Sequence, residues 1–299
     1  MKINCILVTY NRIEKLKKAL ASYEMQNIQT MIVVNNASTD GTFEFLETWQ
    51  KESKKENRIV MNLAENSGGA GGFYKGIQQA LALDADWIWV ADDDAYLQSD
   101  TLKILTDFIQ KQEFPERISA VCSKVLNANK EISLPHRRKL TYSAYIVHEI
   151  NVPEENYLKP YFSLDLSSFV GSLINVDAIK KVGFPEKDYF IWYDDTEYFM
   201  RLRKVGSIFC VPTAVVLHDA PKGSSEVSWK TYYGFRNQLL SYRRNFGYLC
   251  LFRHSYRLWK KANRSAIIRK KVMRAAIRDA ILGKKGVHPI FKPGWKPQS

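Results

Sequence analysis

The chain has 299 residues, 45% of them hydrophobic and 25% charged, which is ordinary for a folded globular protein of one large domain or two smaller ones. Its four cysteines have no paired spacing, which excludes a zinc site or a disulfide framework and favours a reducing compartment. No apolar run approaches the roughly 20 residues that cross a bilayer, so we expect a cytoplasmic protein, soluble or peripheral on a membrane.

Strand and helix patterns alternate through the first half of the chain. Apolar, β-branched runs predict strands at residues 3–8, 31–34, 58–63 and 86–91, and helical spacing predicts helices at 14–23, 42–49 and 74–83. This alternation predicts a mostly parallel sheet with helices on both faces, whose ligand lies beyond the carboxyl ends of the strands. Polar clusters follow the strands at 9–12, 35–40, 66–72 and 92–94, so we expect a nucleotide-sized site along that edge.

Three consecutive carboxylates, Asp92, Asp93 and Asp94, end the fourth apolar run. Adjacent acids repel one another and are costly to hold together unless a cation neutralises them. Residues two apart in an extended backbone project to the same side, so Asp92 and Asp94 can hold one Mg²⁺ or Mn²⁺ ion that is shared with a substrate phosphate. The alternative is a solvated turn that leads into the following helix, with Ser99-Asp100 as one candidate start.

The glycine-rich turn at 66–72 does not match a known phosphate loop. A dinucleotide-binding fingerprint fails because Tyr74 stands where its third glycine should be, and no Gly-Lys-Ser/Thr follows as in a P-loop. What remains is a turn in which Gly69 and Gly71 let the backbone approach an anion at a helix N-terminus. A plain turn into a helix is the alternative.

The second half is less regular, with strands expected at 119–126, 167–175 and 208–217, a helix at 194–205 and a flexible loop at 222–225. Trp192 and Tyr193, just before that helix, could stack on a sugar ring. Asp194, Asp195 and Glu197 fall in its first turn, where the helix dipole stabilises an ionised carboxylate that could accept a proton. An acidic helix cap is the alternative for these acids.

His218 follows the last of these strands. A single histidine there is usually structural, but Asp92 and Asp94 need a third ligand from a distant element, so we expect His218 to complete the metal site. Arg236, in the aromatic segment that begins the C-terminal helices, suits either helix packing or diphosphate binding.

The net charge of +13 lies entirely in the last fifth of the chain. Residues 243–299 contain sixteen Lys or Arg and one acid, whereas the preceding 242 residues contain 28 basic and 30 acidic residues. This asymmetry predicts a polyanionic partner. Aromatic residues alternate with the cations from 242 to 271, which favours an interfacial helix on an anionic membrane, although a solvated face would look similar.

Six blocks of the sequence, in this order, resemble the inverting glycosyltransferases of family 2 with the GT-A fold, and more narrowly the bacterial galactofuranosyltransferases. They are VTYNR (8–12), VNNASTDGT (34–42), NSGGAGGF (66–73), DDD (92–94), WYDDTE (192–197) and LHD (217–219). The resemblance covers about residues 3–240. It implies a GT-A catalytic domain at 1–240, an α/β fold with a Rossmann-like mixed sheet flanked by helices, and a basic helical extension at 241–299.

The resemblance also implies roles for individual residues. Those expected to bind the nucleotide sugar are Thr9, Asn11, Arg12, Asn36 and Asn66, together with Gly69, Gly71, Asp93 and Arg236. Those expected to hold Mn²⁺ or Mg²⁺ are Asp92, Asp94 and His218. Asp195 would be the general base, and the residues lining the donor or acceptor sugar would be Trp192, Tyr193, Asp194 and Glu197.

The implied activity is transfer of galactofuranose from UDP-galactofuranose to a lipid-linked or polysaccharide acceptor in cell-surface glycan biosynthesis, at the inner face of the cell membrane. The chain is much shorter than the mycobacterial polymerising members, so we expect one or a few additions. A rhamnosyltransferase using dTDP-rhamnose is the nearest alternative, because related rhamnosyltransferases share most blocks. An NAD-dependent oxidoreductase conflicts with the failed glycine fingerprint, and a nucleic-acid-binding protein would rest on the basic tail alone.

Overall fold

A computed structural model of the chain describes residues 1–53, 57–220 and 226–297, so the loop expected at 222–225 lies outside the described residues. The strands of this part are β1 Ile3–Thr9, β2 Thr30–Asn35, β3 Arg58–Asn62, β4 Trp87–Asp92, β5 Ala95–Leu97, β6 Ile118–Leu126, β7 Arg137–Ser143, β8 Ile146–Asn151, β9 Phe162–Ser163, β10 Leu166–Ser167, β11 Ser172–Asn175 and β12 Ser207–His218. The α-helices are α1 Ile13–Glu24, α2 Thr42–Lys51, α3 Gly68–Leu81, α4 Thr101–Gln110, α5 Val176–Val182, α6 Asp194–Leu202, α7 Trp229–Phe246, α8 Tyr248–Asn263 and α9 Ile267–Ile281.

One large sheet organises the described part of the chain. Its strand order is β3-β2-β1-β4-β11-β6-β12-β5, with β9 alongside β12. Strands β1 to β4 pair in parallel, as their helical connections require. Strand β11 runs antiparallel between β4 and β6, so the sheet is mixed rather than mostly parallel. The Rossmann-like mixed sheet with flanking helices that the resemblance implied is therefore confirmed.

The second half differs from the sequence expectation in several elements, two of which bear on the sheets. The run expected as one strand at 167–175 is divided between β10 and β11, because Gly171 has a φ of 72° and interrupts the extended backbone. The stretch from 130 to 159, which has no clear periodicity, contains the β7–β8 hairpin, and this hairpin forms a small separate sheet with β10.

Apolar side chains on both faces of the large sheet form the core. Alternation along β1 places Ile6 on the face covered by α3 and Leu7 on the face covered by α1. Ile77 of α3 and Leu20 of α1 are fully or nearly fully buried against these two faces. Burial on both sides explains why the strands read as continuous apolar runs rather than alternating ones.

Helix α3 begins at Gly68, so the expected glycine-rich turn is wrong: Gly69 and Gly71 lie in the first turn of a helix. The glycines allow close packing, because a Cβ at Gly72 would clash with Val8 and a Cβ at Gly76 would clash with Ile6. Gly68, with a φ of 73°, has no room for a Cβ beside the carbonyl group of Phe190. Glycine in a helix costs about 1 kcal/mol per residue relative to alanine, and close packing against β1 outweighs this cost.

The C-terminal helices α7, α8 and α9 pack on one another. Helix α7 runs without interruption through the domain boundary expected at residue 240. Within the described ranges, no helix combines the length and the apolar character needed to cross a bilayer.

The packing of α3 predicts that Gly76→Ala destabilises the protein. The new Cβ would meet Ile6 and would lie 3.3 Å from Val34 Cγ2 in a buried contact, so we expect the free energy of unfolding to fall by about 1–3 kcal/mol. The matched control is Gly69→Ala in the same helix, where a Cβ meets nothing within 4 Å. Chemical denaturation measures both variants, and equal stability of the two would contradict this account of the glycines.

Candidate active site

Three carboxylates meet an imidazole where β4 ends. Asp92 is the last residue of β4, and Asp93 and Asp94 form the turn into β5. Strand β12 runs antiparallel to β5 and places His218 opposite Ala95, which brings the imidazole beside the acids. His218 Nε2 lies 3.2 Å from Asp94 Oδ1. One possible ligand atom from each of Asp92, Asp94 and His218 lies within 4.8 Å of the other two.

The electrostatics of this cluster favour a bound cation. Burial, with repulsion from Asp94, raises the pKa of Asp92 to about 7, and burial raises the pKa of Asp93 to about 6. Although burial opposes it, the hydrogen bond and charge of His218 hold the pKa of Asp94 below its ordinary value. Two carboxylates and an imidazole form a donor set that fits Mn²⁺ or Mg²⁺. Because Asp93 and Asp94 are buried, the alternative of a solvated turn is not supported.

Basic and hydroxyl side chains on neighbouring elements offset the negative charge of Asp93 and Asp94. Arg12 Nη1 lies 3.1 Å from Asp93 Oδ1 and 2.8 Å from Asp94 Oδ2. Thr9 Oγ1 donates a hydrogen bond of 2.7 Å to Asp93 Oδ2. Lys15 Nζ, in the first turn of α1, lies 3.9 Å from Asp94 Oδ2. Thr9 and Arg12 therefore orient the acids in this structure, in addition to the nucleotide contacts expected of them.

The loops after β1, β2 and β3 meet at the same edge. Asn11 Oδ1 accepts a hydrogen bond of 2.7 Å from the Thr39 backbone N–H, and Asn36 Nδ2 donates one of 3.1 Å to Asn66 Oδ1. A cavity of about 760 Å³ lies beside the loops after β1 and β2 and is lined in part by Asn11, Arg12, Lys15, Asp40 and Asp219. The convergence of polar loops that the sequence predicted is therefore present, although Asn36 itself is buried.

A strained loop precedes α6 and is held by α7. Phe190, Trp192 and Tyr193 have φ angles of 67°, 63° and 69°, which bulky residues rarely adopt. Asn237 Nδ2 donates hydrogen bonds of 2.9 Å to the carbonyl oxygens of Tyr189, Ile191 and Trp192. These bonds stabilise a backbone conformation that would otherwise be costly.

Arg236 belongs to the same support. Its Nη2 donates a hydrogen bond of 3.2 Å to the Tyr189 carbonyl oxygen, and its Nη1 donates one of 2.7 Å to that of Gly286. The side chain is 1% exposed. Of the two roles left open for Arg236, the contacts therefore support packing rather than diphosphate binding.

The acids of α6 occupy three different environments. Burial, with repulsion from Asp195 and Asp92, raises the pKa of Asp194 well above its ordinary value, which indicates that the start of α6 lies near the acid cluster. Burial also raises the pKa of Asp195, although we expected the helix dipole to keep this acid ionised. Glu197 is fully buried in an ion pair with Arg201, so its contacts are those of a structural residue rather than of a sugar ligand.

The two aromatic residues before α6 also differ. The side chain of Trp192 is 49% exposed and is free to contact a ligand. Tyr193 is less exposed, and its hydroxyl group donates a hydrogen bond of 3.3 Å to Glu149. Of the pair, Trp192 is therefore the better placed to stack on a sugar.

Sequence reasoning missed several charged residues near the site. Lys230, near the start of α7, lies within electrostatic range of Asp92 and Asp94, and burial lowers its pKa. Arg138, on the β7–β8 hairpin, interacts electrostatically with Asp195. Lys15 could have been found from its position in the first turn after the 9–12 cluster. Nothing in the local sequence marks Arg138 or Lys230, because long-range packing brings them to the site.

Known proteins share much of this sequence and this fold. The family model of glycosyl transferase family 2 matches residues 5–183. The galactofuranosyltransferase GlfT1 of Mycolicibacterium smegmatis is 31% identical over 226 residues, which cover 74% of this chain and 71% of that protein. The abequosyltransferase RfbV of Salmonella typhimurium is 30% identical over 207 residues, or 66% of this chain and 58% of that protein.

Among solved structures, that of GalNAc-T7 with UDP, GalNAc and Mn²⁺ superposes with a TM-score of 0.66 at 12% identity. The match covers 93% of this chain and 54% of that one. At this level of identity, the likeness concerns the fold, and it confirms the expected GT-A architecture.

The acid cluster predicts metal binding that depends on pH. Metal ligands must be deprotonated, and the pKa of Asp92 is about 7, so Mn²⁺ affinity should weaken as the pH falls through about 7. In titration calorimetry, Asp94→Asn should lower Mn²⁺ affinity by about tenfold or more. The control is Asp107→Asn, which changes a half-buried acid on α4 that pairs with Lys103 away from the acid cluster. Equal Mn²⁺ binding by both variants would rule out this site.

Proposed function

The chain belongs to glycosyl transferase family 2, and on that basis we propose that it transfers galactofuranose from UDP-galactofuranose to a hydroxyl group of a lipid-linked or polysaccharide acceptor. A relative that matches 74% of the chain is named a galactofuranosyltransferase, which supports this donor. The proposal depends on one observation: the ligand atoms of Asp92, Asp94 and His218 lie together, and Asp92 is within electrostatic range of Asp194 at the start of α6.

The charges around this cluster suit a diphosphate. Bound to Asp92, Asp94 and His218, Mn²⁺ or Mg²⁺ would neutralise the negative charge of the leaving group. The GalNAc-T7 structure contains Mn²⁺ together with UDP and GalNAc, which supports the same pairing of metal and nucleotide here. Arg12 and Lys15 add positive charge beside the 760 Å³ cavity, where we place the nucleotide.

In the proposed reaction, Asp195 accepts the proton of the acceptor hydroxyl. The hydroxyl oxygen forms a bond to C1 of the sugar while the bond between C1 and the diphosphate oxygen breaks, and attack from the opposite face inverts the anomeric centre. Because burial raises the pKa of Asp195, this carboxylate is a stronger base than an exposed aspartate. The exposed ring of Trp192 is available to stack on a sugar.

A rhamnosyltransferase using dTDP-rhamnose is the second candidate. This candidate is supported by the match to a protein named an abequosyltransferase. Two relatives of about the same sequence identity are thus named for the transfer of different sugars. The donor is therefore a question for direct assay.

Transfer assays test the donor and the base together. With Mn²⁺ and a lipid-linked acceptor, UDP-galactofuranose should give one or a few added hexoses by mass spectrometry, whereas dTDP-rhamnose should give none. Asp195→Asn should lower kcat by about a hundredfold or more, because an amide cannot accept the proton, and should change donor affinity by less than about threefold.

The control for the base is Asp177→Asn, an exposed acid on α5 that should leave kcat unchanged. If a product forms only with dTDP-rhamnose, then the donor is dTDP-rhamnose and not UDP-galactofuranose. Full turnover by Asp195→Asn would reject this residue as the base.

We also propose that α8 rests on an anionic membrane surface. At about 100° per residue, its exposed large apolar residues form one arc, and each is between 45% and 57% exposed: Tyr248, Leu249, Phe252, Tyr256 and Trp259. The adjoining exposed arc is basic and consists of Arg253, Arg257, Lys260, Lys261 and Arg264. Apolar side chains beside a row of cations suit the boundary between lipid tails and anionic headgroups.

Vesicle binding tests this surface. The double variant Phe252→Ser/Tyr256→Ser should reduce co-sedimentation with phosphatidylglycerol vesicles by about tenfold, because it removes apolar area from the arc. Phe43→Ser, which changes an exposed phenylalanine on α2, is the control. Salt-dependent binding to DNA without binding to the vesicles would favour a nucleic-acid partner instead.

A further inference from the structure

A partly buried ion pair outside the large sheet contacts the helix that carries Asp195. Arg138 on β7 donates a hydrogen bond through Nη1 to Glu149 Oε2 on β8, and the two side chains are 16% and 8% exposed. Glu149 Oε1 accepts a second hydrogen bond of 2.8 Å from the Tyr242 hydroxyl group on α7. The hairpin is thereby fixed to α7, and its arginine is held in one orientation.

The second terminal nitrogen of the Arg138 guanidinium group contacts α6. Arg138 Nη2 donates a hydrogen bond of 2.7 Å to Thr196 Oγ1, and Thr196 Oγ1 donates one of 3.1 Å to Asp195 Oδ1. A guanidinium group can only donate, so the Thr196 hydroxyl must accept from it and direct its own proton towards Asp195. The three side chains therefore form a chain of hydrogen bonds with one direction.

We propose that Arg138 and Thr196 are positioning residues for Asp195: the arginine orients the threonine hydroxyl, and the hydroxyl holds the carboxylate in the orientation that accepts the acceptor proton. This inference rests on the proposed function, in which Asp195 is the general base. It adds a role for the β7–β8 hairpin, which lies outside the residues that hold the metal and the nucleotide.

The charges around Asp195 agree with this role. Burial raises its pKa, and the neighbouring carboxylate of Asp194 on the same helix repels it. Arg138 from β7, the Thr196 hydrogen bonds and the backbone N–H of Phe169 oppose these effects. Because a base must be unprotonated to act, loss of the Arg138 charge should move the acid limb of the kcat profile to higher pH.

Three variants test the proposal in the full chain. Thr196→Val keeps the volume but removes the hydroxyl group, and should lower kcat by about tenfold to a hundredfold while the donor dissociation constant changes by less than about threefold. Thr196→Ser restores the hydroxyl group and should recover most of the rate. Arg138→Met should lower kcat and also shift the acid limb upward, with the unfolding midpoint of each variant measured alongside.

The outcomes separate this inference from the function on which it rests. Wild-type kcat and pH profile in Thr196→Val, with Asp195→Asn inactive, would overturn the positioning role alone. Full transfer by Asp195→Asn would overturn the base assignment and this inference with it. If Arg138→Met fails to fold, the comparison of Thr196→Val with Thr196→Ser decides, because equal rates of these two variants would reject the hydroxyl as a positioning group.

Discussion

The repulsion between buried carboxylates at the end of β4 governs how the rest of the site is arranged. Asp93 and Asp94 are almost completely buried, and each needs a positive or hydrogen-bonding neighbour to stay ionised. Those neighbours come from separate elements: Arg12 from the loop after β1, Lys15 from α1 and His218 from β12. Strands β1 and β4 run parallel, so their carboxyl ends meet at one edge of the sheet, and the loop after β1 can supply positive charge to the three adjacent acids.

The second constraint is the strained backbone before α6. Its positive φ angles turn the chain so that Trp192 is exposed while Asp194 is buried, and they persist because Asn237 binds three of the loop's carbonyl groups. Tyr193, within the same loop, also bonds Glu149 of the hairpin. The acids of α6 therefore depend on side chains from two distant parts of the sequence.

Much of this architecture could be read from local sequence. The first-half strands were predictable because apolar runs end abruptly in polar clusters, and Asp92, Asp94 and His218 could be grouped because their chemistry suits one metal. The start of α3 could not be predicted, since contacts of Gly72 and Gly76 with β1 outweigh their poor helix propensity. The contacts of Arg236 and the hydrogen bond from Arg138 to Thr196 join residues that are far apart in the sequence. Composition and periodicity cannot predict such contacts.

Gly247 lies between α7 and α8, and these two helices make different contacts. It separates α7, whose Asn237 supports the loop before α6, from α8, whose exposed side is half aromatic and half basic. Because a single residue, Gly247, separates the two helices, the direction that the aromatic side of α8 faces is coupled to the position of the loop before α6. An insertion of one residue before Leu251 would turn the residues that follow by about 100° about the helix axis, and would move the buried Leu251 out of its cluster with Leu239 and Ala280. Under the proposed membrane contact, the spacing between residues 237 and 248 therefore sets the angle between the membrane-facing side of α8 and the loop before α6.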